Sequence, residues 1–103
     1  MSNSRNSKII LGIDPGTNVM GYGLIEVFSK SEFKLIQYGV IHLKKYETHA
    51  LKLKKIFERI LDVIDEHNPD EVALEAPFLG KNPQSMLKLG RAQGVAMSAA
   101  LYR

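Results

Sequence analysis

Hydrophobic positions change their period twice along this chain. From Ile9 to Leu43 they come in short runs rich in β-branched and aromatic residues, separated by Pro-Gly or polar clusters. From Leu53 to Ile64 they fall at helical spacing, and around Val72 they contract again to a three-residue run. Ile9–Asp14 is almost continuously apolar, the pattern of a strand buried on both faces. Pro15-Gly16-Thr17-Asn18 supplies turn dihedrals, and Val19–Phe28 predicts a second strand, with Gly21 and Gly23 on either side of Tyr22. Ser29–Glu32 is short enough for a hairpin loop, and Phe33–Leu43 predicts a third strand. Connections this short imply an antiparallel meander.

Leu53, Ile56, Phe57, Ile60 and Ile64 form one stripe of an amphipathic helix predicted over His49–His67, with Lys52, Lys55, Arg59, Asp62 and Glu66 on the other side. Asn68-Pro69 stops it. Glu71–Glu75 predicts a short fourth strand, and a helical crossover before it makes that strand parallel to the first. After a loop at Phe78–Asn82, Asn82 suits an N-cap and Pro83 the first helical position, so a second helix is expected to run to the C-terminus. Gly90, Gly94 and Ser98 recur every four residues along it, with Ala92, Ala96, Ala99 and Ala100 nearby. Small residues of this kind admit a close-packed backbone, either the sheet or a second subunit. The expected architecture is α/β, a mixed sheet in the order β-β-β-α-β-α. It occupies residues 9–103 as one domain, behind a disordered polar tail at 1–8. Its fourth strand leaves an open edge and its last helix an uncovered face, both of which predict association.

Composition narrows the chemistry. A chain of 103 residues without cysteine has no disulfide, thiolate zinc site or cysteine nucleophile, and suits a reducing, cytoplasmic setting. No run reaches the length of a membrane span, and Met1–Lys8 lacks the apolar core of a signal peptide. The net charge of +3 is mild, but beyond Glu75 there is no acid at all, while Lys81, Lys88, Arg91 and Arg103 follow. That asymmetry fits a polyanion contact, or simply a solvated helix face.

Two carboxylates stand out. Asp14 closes the first strand before Pro15, and Glu75 closes the fourth with Pro77 two residues on. Strand ends at the rim of an open α/β sheet are where such folds build sites. Paired carboxylates there suit a hard divalent cation held against a phosphate. Asp14 as a plain turn-former and Glu75 as a solvated strand end are the structural alternatives. Gly16 and Thr17 fit a phosphate cradle as well as a tight turn. His42, His49 and His67 show no ligand spacing and are given no role. Met86 and Met97 are expected to fill packing gaps.

The element order, with an Asp on strand one and a Glu ending strand four, is similar to the ribonuclease-H-like nuclease fold. GIDPGTNVMGYG and LEAPFLGKNPQSMLKLGRAQGVA resemble the RuvC Holliday-junction resolvases, and the resemblance covers essentially Ile9 to Leu101. It implies a homodimeric, Mg²⁺-dependent endodeoxyribonuclease, with Mn²⁺ able to substitute. Such an enzyme cuts a four-way DNA junction symmetrically in recombination and repair, alongside branch-migration motor proteins. Asp14 and Glu75 match the first two of the family's four metal ligands. Two ions about 3.5–4 Å apart would then flank the scissile phosphate, with Asp14 bridging them and Glu75 holding one and orienting the water. The remaining two ligands, with the fifth strand and last helices, belong to family sequence beyond the Arg103 position. The chain therefore reads as an N-terminal portion, inactive alone.

The same resemblance makes Phe78 a wedge that stacks on an unpaired base, a contact worth about 1–3 kcal/mol; anchoring a loop to the core is the structural alternative. Lys81, Lys88 and Arg91 are expected on phosphates, with Asn82, Gln84 and Ser85 as weaker hydrogen-bonding candidates and Asn82 equally a helix cap. Two rival readings remain. An ATP-binding actin/Hsp70-like domain also opens with a strand, an Asp and a Gly-Thr turn, and ATP-dependent thermal stabilisation would mark it. A non-catalytic dimerisation module would fail to bind Mg²⁺.

Overall fold

The computed structural model describes residues 7–14, 16–74 and 83–103, with side chains in the last segment described from Leu87 onward. Within them the chain forms β1 (Lys8–Asp14), β2 (Val19–Val27), β3 (Phe33–His42), α1 (His49–His67), β4 (Glu71–Leu74) and α2 (Pro83–Tyr102). The element order is the expected one. β1 begins one residue earlier than the apolar run, because Lys8 pairs with Val27. β2 ends before Phe28, whose N–H turns to the Glu32 carbonyl at 2.9 Å and closes the hairpin. Leu43 falls outside β3, donating its N–H to the Asn18 carbonyl at 2.8 Å instead of to a strand partner.

The four strands lie in the order β3-β2-β1-β4. β2 runs antiparallel to both β1 and β3, and β4 runs parallel to β1, pairing Ile13 with Leu74. A register shift between Leu24 and Ile25 sets Ile36 out of the β3 ladder. At the near end of β4, Ile9 is clamped by Asp70: its N–H donates to the carboxylate at 2.8 Å and its carbonyl accepts the Asp70 N–H at 2.7 Å.

Both helices pack on one face of the sheet. Leu11, Ile13, Met20, Tyr22, Leu24 and Ile41 point from the strands into a single core with Ile56, Ile60, Val63 and Ile64 of α1 and Ala92, Ala96 and Ala99 of α2. Fully burying aliphatic side chains of the size of Ile56, Ile60 and Val63 contributes about 1.5–3 kcal/mol each. The opposite face is open among the described residues: Ile10, Ile25, Leu35, Tyr38 and Val40 share it, and Tyr38 is 75% exposed. The expectation that β1 is buried on both faces is therefore corrected. Its burial alternates, with Leu11 and Ile13 inside and Ile10 and Gly12 only half-covered.

The Thr48 hydroxyl caps α1 by accepting the Leu51 N–H at 3.1 Å, and Asn68, left-handed at φ 49° and ψ 59°, closes it by donating to the Ile64 carbonyl at 2.7 Å. Arg59, expected on the solvent side, reaches inward: its guanidinium donates to the Tyr22 hydroxyl at 3.0 Å. Gly39 leaves room for that ring, since a Cβ there would stand 2.7 Å from the same hydroxyl.

On α2, Ala92, Ala96 and Ala99 take the packing position. The Gly90, Gly94 and Ser98 row faces outward, so the sheet is not its partner, and Met97, expected in the core, is 45% exposed. Ser98 returns its hydroxyl to the Gly94 carbonyl at 2.9 Å.

Candidate active site

Asp14 stands at the C-terminal end of β1, a central strand, and is exposed. Its partner across β2 is Gly21, which has no side chain to shield it. Among the described residues the carboxylate has neither a hydrogen bond nor an ion pair. It borders an open cavity of about 360 Å³ lined by Gly12, Ile13, Asp14, Ala73 and Leu74. On the face that Asp14 shares, Gly12 pairs with Gly23 and with Ala73, so bare or nearly bare backbone adjoins the acid.

The turn after β1 is held tightly. A Cβ on Gly16 would run into the Val19 carbonyl oxygen, so this position requires glycine for a close backbone approach. Asn18 links two neighbours, its carbonyl accepting from the Leu43 N–H and its side-chain oxygen lying 3.4 Å from the Lys52 ammonium. Gly16 and Thr17 are both half-buried in this turn.

Glu75 lies outside the described residues, as do Phe78, Lys81 and Asn82, and the side chains of Gln84, Ser85 and Met86 are likewise not described. β4 reaches Leu74, the register partner of Ile13, and Glu75 is the next residue in the chain. Among the described residues no three His, Asp or Glu side chains converge as a metal cluster. Lys88 and Arg91 are exposed on α2 and form no ion pair among the described residues.

Three residues that the sequence pattern passes over belong to the same end of the molecule. β1 and β4 run parallel, and β3, antiparallel to β2, runs the same way, so Asp14, Leu74 and His42 all lie at one rim. α1 starts from that rim. His49, in its first turn, lies within electrostatic range of Arg91, Lys88 and Lys52. Burial first, and then those three cations, hold its imidazole below the ordinary value of 6.5. The His49 Nε2 is buried without a hydrogen-bond partner among the described residues. Asn18, His49 and Lys52 are dispersed in sequence. Their signal is topological and needs the direction of β3 and α1.

Comparison with known proteins follows the same lines. A sequence model of the family "Crossover junction endodeoxyribonuclease RuvC" matches residues 10–103. The chain is 67% identical over 96 residues to the crossover junction endodeoxyribonuclease RuvC of Cytophaga hutchinsonii, spanning 93% of this chain and 48% of that one. It is 60% identical over 99 residues to that of Christiangramia forsetii, spanning 96% and 51%. The chain thus spans about half the length of the curated relatives it matches. Among solved structures, Thermus thermophilus RuvC in complex with a Holliday junction substrate superposes with a TM-score of 0.82 at 25% identity, covering 92% of this chain and 59% of that one. No helix among the described residues is long and apolar enough to cross a membrane.

Proposed function

This chain belongs to the RuvC family of crossover junction endodeoxyribonucleases, and from that premise we propose that it carries the first half of a structure-selective nuclease site for four-way DNA junctions. The observation that carries this reading is Asp14: an exposed carboxylate with no hydrogen-bond or ion-pair partner among the described residues, at the end of a central strand and beside an open cavity lined also by Gly12, Ile13, Ala73 and Leu74. Hard carboxylate oxygen in that setting fits Mg²⁺, with Mn²⁺ as a substitute, and Glu75 is the second ligand. When bound, the cation supplies Lewis-acid polarisation of the scissile phosphate and a more acidic water.

The protein's own groups do the rest. Asp14 is carried by a strand hydrogen-bonded on both sides, so its backbone position is fixed. Gly12, Gly21 and Ala73 leave the approach to it open. Lys88 and Arg91, with Lys81, hold phosphates and set the strand's register. Phe78 stacks on a base at the junction centre, with Asn82 and Ser85 on the backbone beside it. Two carboxylates are half of the ligand set that the family resemblance implies, so strand cleavage needs the remaining family length.

The outward row of α2 supports a homodimer. Leu87, Gly90, Gly94, Met97, Ser98 and Leu101 share one exposed, helically spaced stripe, and Leu101 is 82% exposed. Two such active sites match two symmetric cuts. A cytoplasmic setting, with motor proteins that migrate the junction as partners, belongs to the same proposal.

The test is cleavage of an end-labelled four-way junction in Mg²⁺ by this sequence within the family's full length, with linear duplex as control. Paired, symmetric nicks in the junction alone are expected. Equal cutting of duplex, or none of either, would overturn the reading.

A further inference from the structure

The charge along α1 runs against its own dipole. Lys52, Lys54 and Lys55 occupy its N-terminal half and its first turn holds no acid, while Asp62, Asp65 and Glu66 gather near its C-terminus. A helix dipole favours acids at the start and bases at the end. The arrangement therefore costs the isolated helix stability.

Where that end points is set by the fold. α1 starts at the rim that ends β1, and Lys52 lies 3.4 Å from the side-chain oxygen of Asn18, four residues after Asp14. From α2, which packs against α1, Lys88 and Arg91 come within electrostatic range of the same first turn. None of these three cations has an ion-pair partner among the described residues. Glu47 is the single acid of the adjoining loop, next to Lys44 and Lys45. His49 lies within electrostatic range of all three cations, and its buried Nε2 has no hydrogen-bond partner among the described residues.

We propose that Lys52, positioned by Asn18, is a DNA-backbone contact that continues the Lys88–Arg91 row onto α1, so that phosphates of one strand are held beside the turn after Asp14. The proposal rests on the junction-nuclease reading and adds residues to it. Lys52 acts on phosphate charge and not on base identity, so its effect shows in salt dependence.

The experiment is a salt series of anisotropy titrations of a fluorescent four-way junction, with thermal melting of each protein in parallel. Lys52→Gln, Lys52→Glu and the pair Lys88→Gln/Arg91→Gln are compared with wild type and with Lys34→Gln, at the far end of β3. Lys52→Gln is expected to weaken binding and to lower the slope of log K against log salt by about 0.9, the value for one phosphate contact. Lys52→Glu is expected to bind weaker still while melting no lower than wild type, because an acid near the helix start suits the dipole. Wild-type affinity and slope in Lys52→Gln, beside a loss in the α2 pair, would overturn this proposal and leave the junction-nuclease reading standing. Lowered melting of both Lys52 variants in step with binding would make Lys52 structural and overturn it as well. Wild type that binds no junction at any salt would sink the underlying reading, and the inference with it.

Discussion

His49 shows how a single side chain reports on its surroundings. Its imidazole is held below 6.5 chiefly by burial, then by Arg91, Lys88 and Lys52. The unfolded chain thus takes up a proton at this position before the folded chain does. Stability from this residue is complete above 6.5 and drains as the pH falls below it. We expect melting temperature to fall as the pH drops below 6.5, and His49→Gln to flatten that dependence. An unchanged pH slope in His49→Gln would contradict the assignment. Asp14 was readable from sequence because a strand-ending acid before Pro-Gly is a local pattern. His49 was not, because its neighbours Lys88 and Arg91 lie far along the chain and meet it only when α2 packs on α1.

At the scale of elements, α2 separates two rows of small residues that look alike in sequence. Ala96 is fully buried among α1 and the sheet, whereas a Cβ on Gly94 would meet nothing within 4 Å. Ala96→Leu is expected to cost about 1–3 kcal/mol by overpacking. Gly94→Leu is expected to leave the fold at least as stable, since leucine exceeds glycine in helix propensity by up to about 1 kcal/mol, and to abolish self-association in sedimentation. Dimers that persist in Gly94→Leu would place the subunit contact elsewhere. The four-residue spacing of Gly90, Gly94 and Ser98 was legible, but which row faces the sheet depends on how α2 docks. The strands were legible to within a residue or so at their ends, because Pro-Gly and the Ser-rich hairpin punctuate them. Sidedness was harder: Ile9–Ile13 is apolar at every second position on both faces, and only the position of both helices on one side shows that Ile10 and Gly12 lie on the open one.

Over the whole molecule, chain direction does the sorting. Parallel β1, β3 and β4 deliver Asp14, the α1 start and the run toward Glu75 to one rim, and α2 sets out from there. The far end of α1 holds acids instead, with Asp65 tied to Arg103 at 2.7 Å. On the proposed reading, a charge distribution of this kind would steer a polyanion toward the end that carries Asp14. The strand directions were legible from the short connections and the helical crossover, whereas the side chains they bring together at the rim were not. The measurement that bears most directly on the account is junction cleavage by Asp14→Asn against wild type, both in the family's full length, with binding recorded alongside. The account predicts cleavage reduced to background and junction binding as tight as wild type or tighter, since a negative charge leaves a phosphate-facing rim. Wild-type cleavage by Asp14→Asn would contradict it.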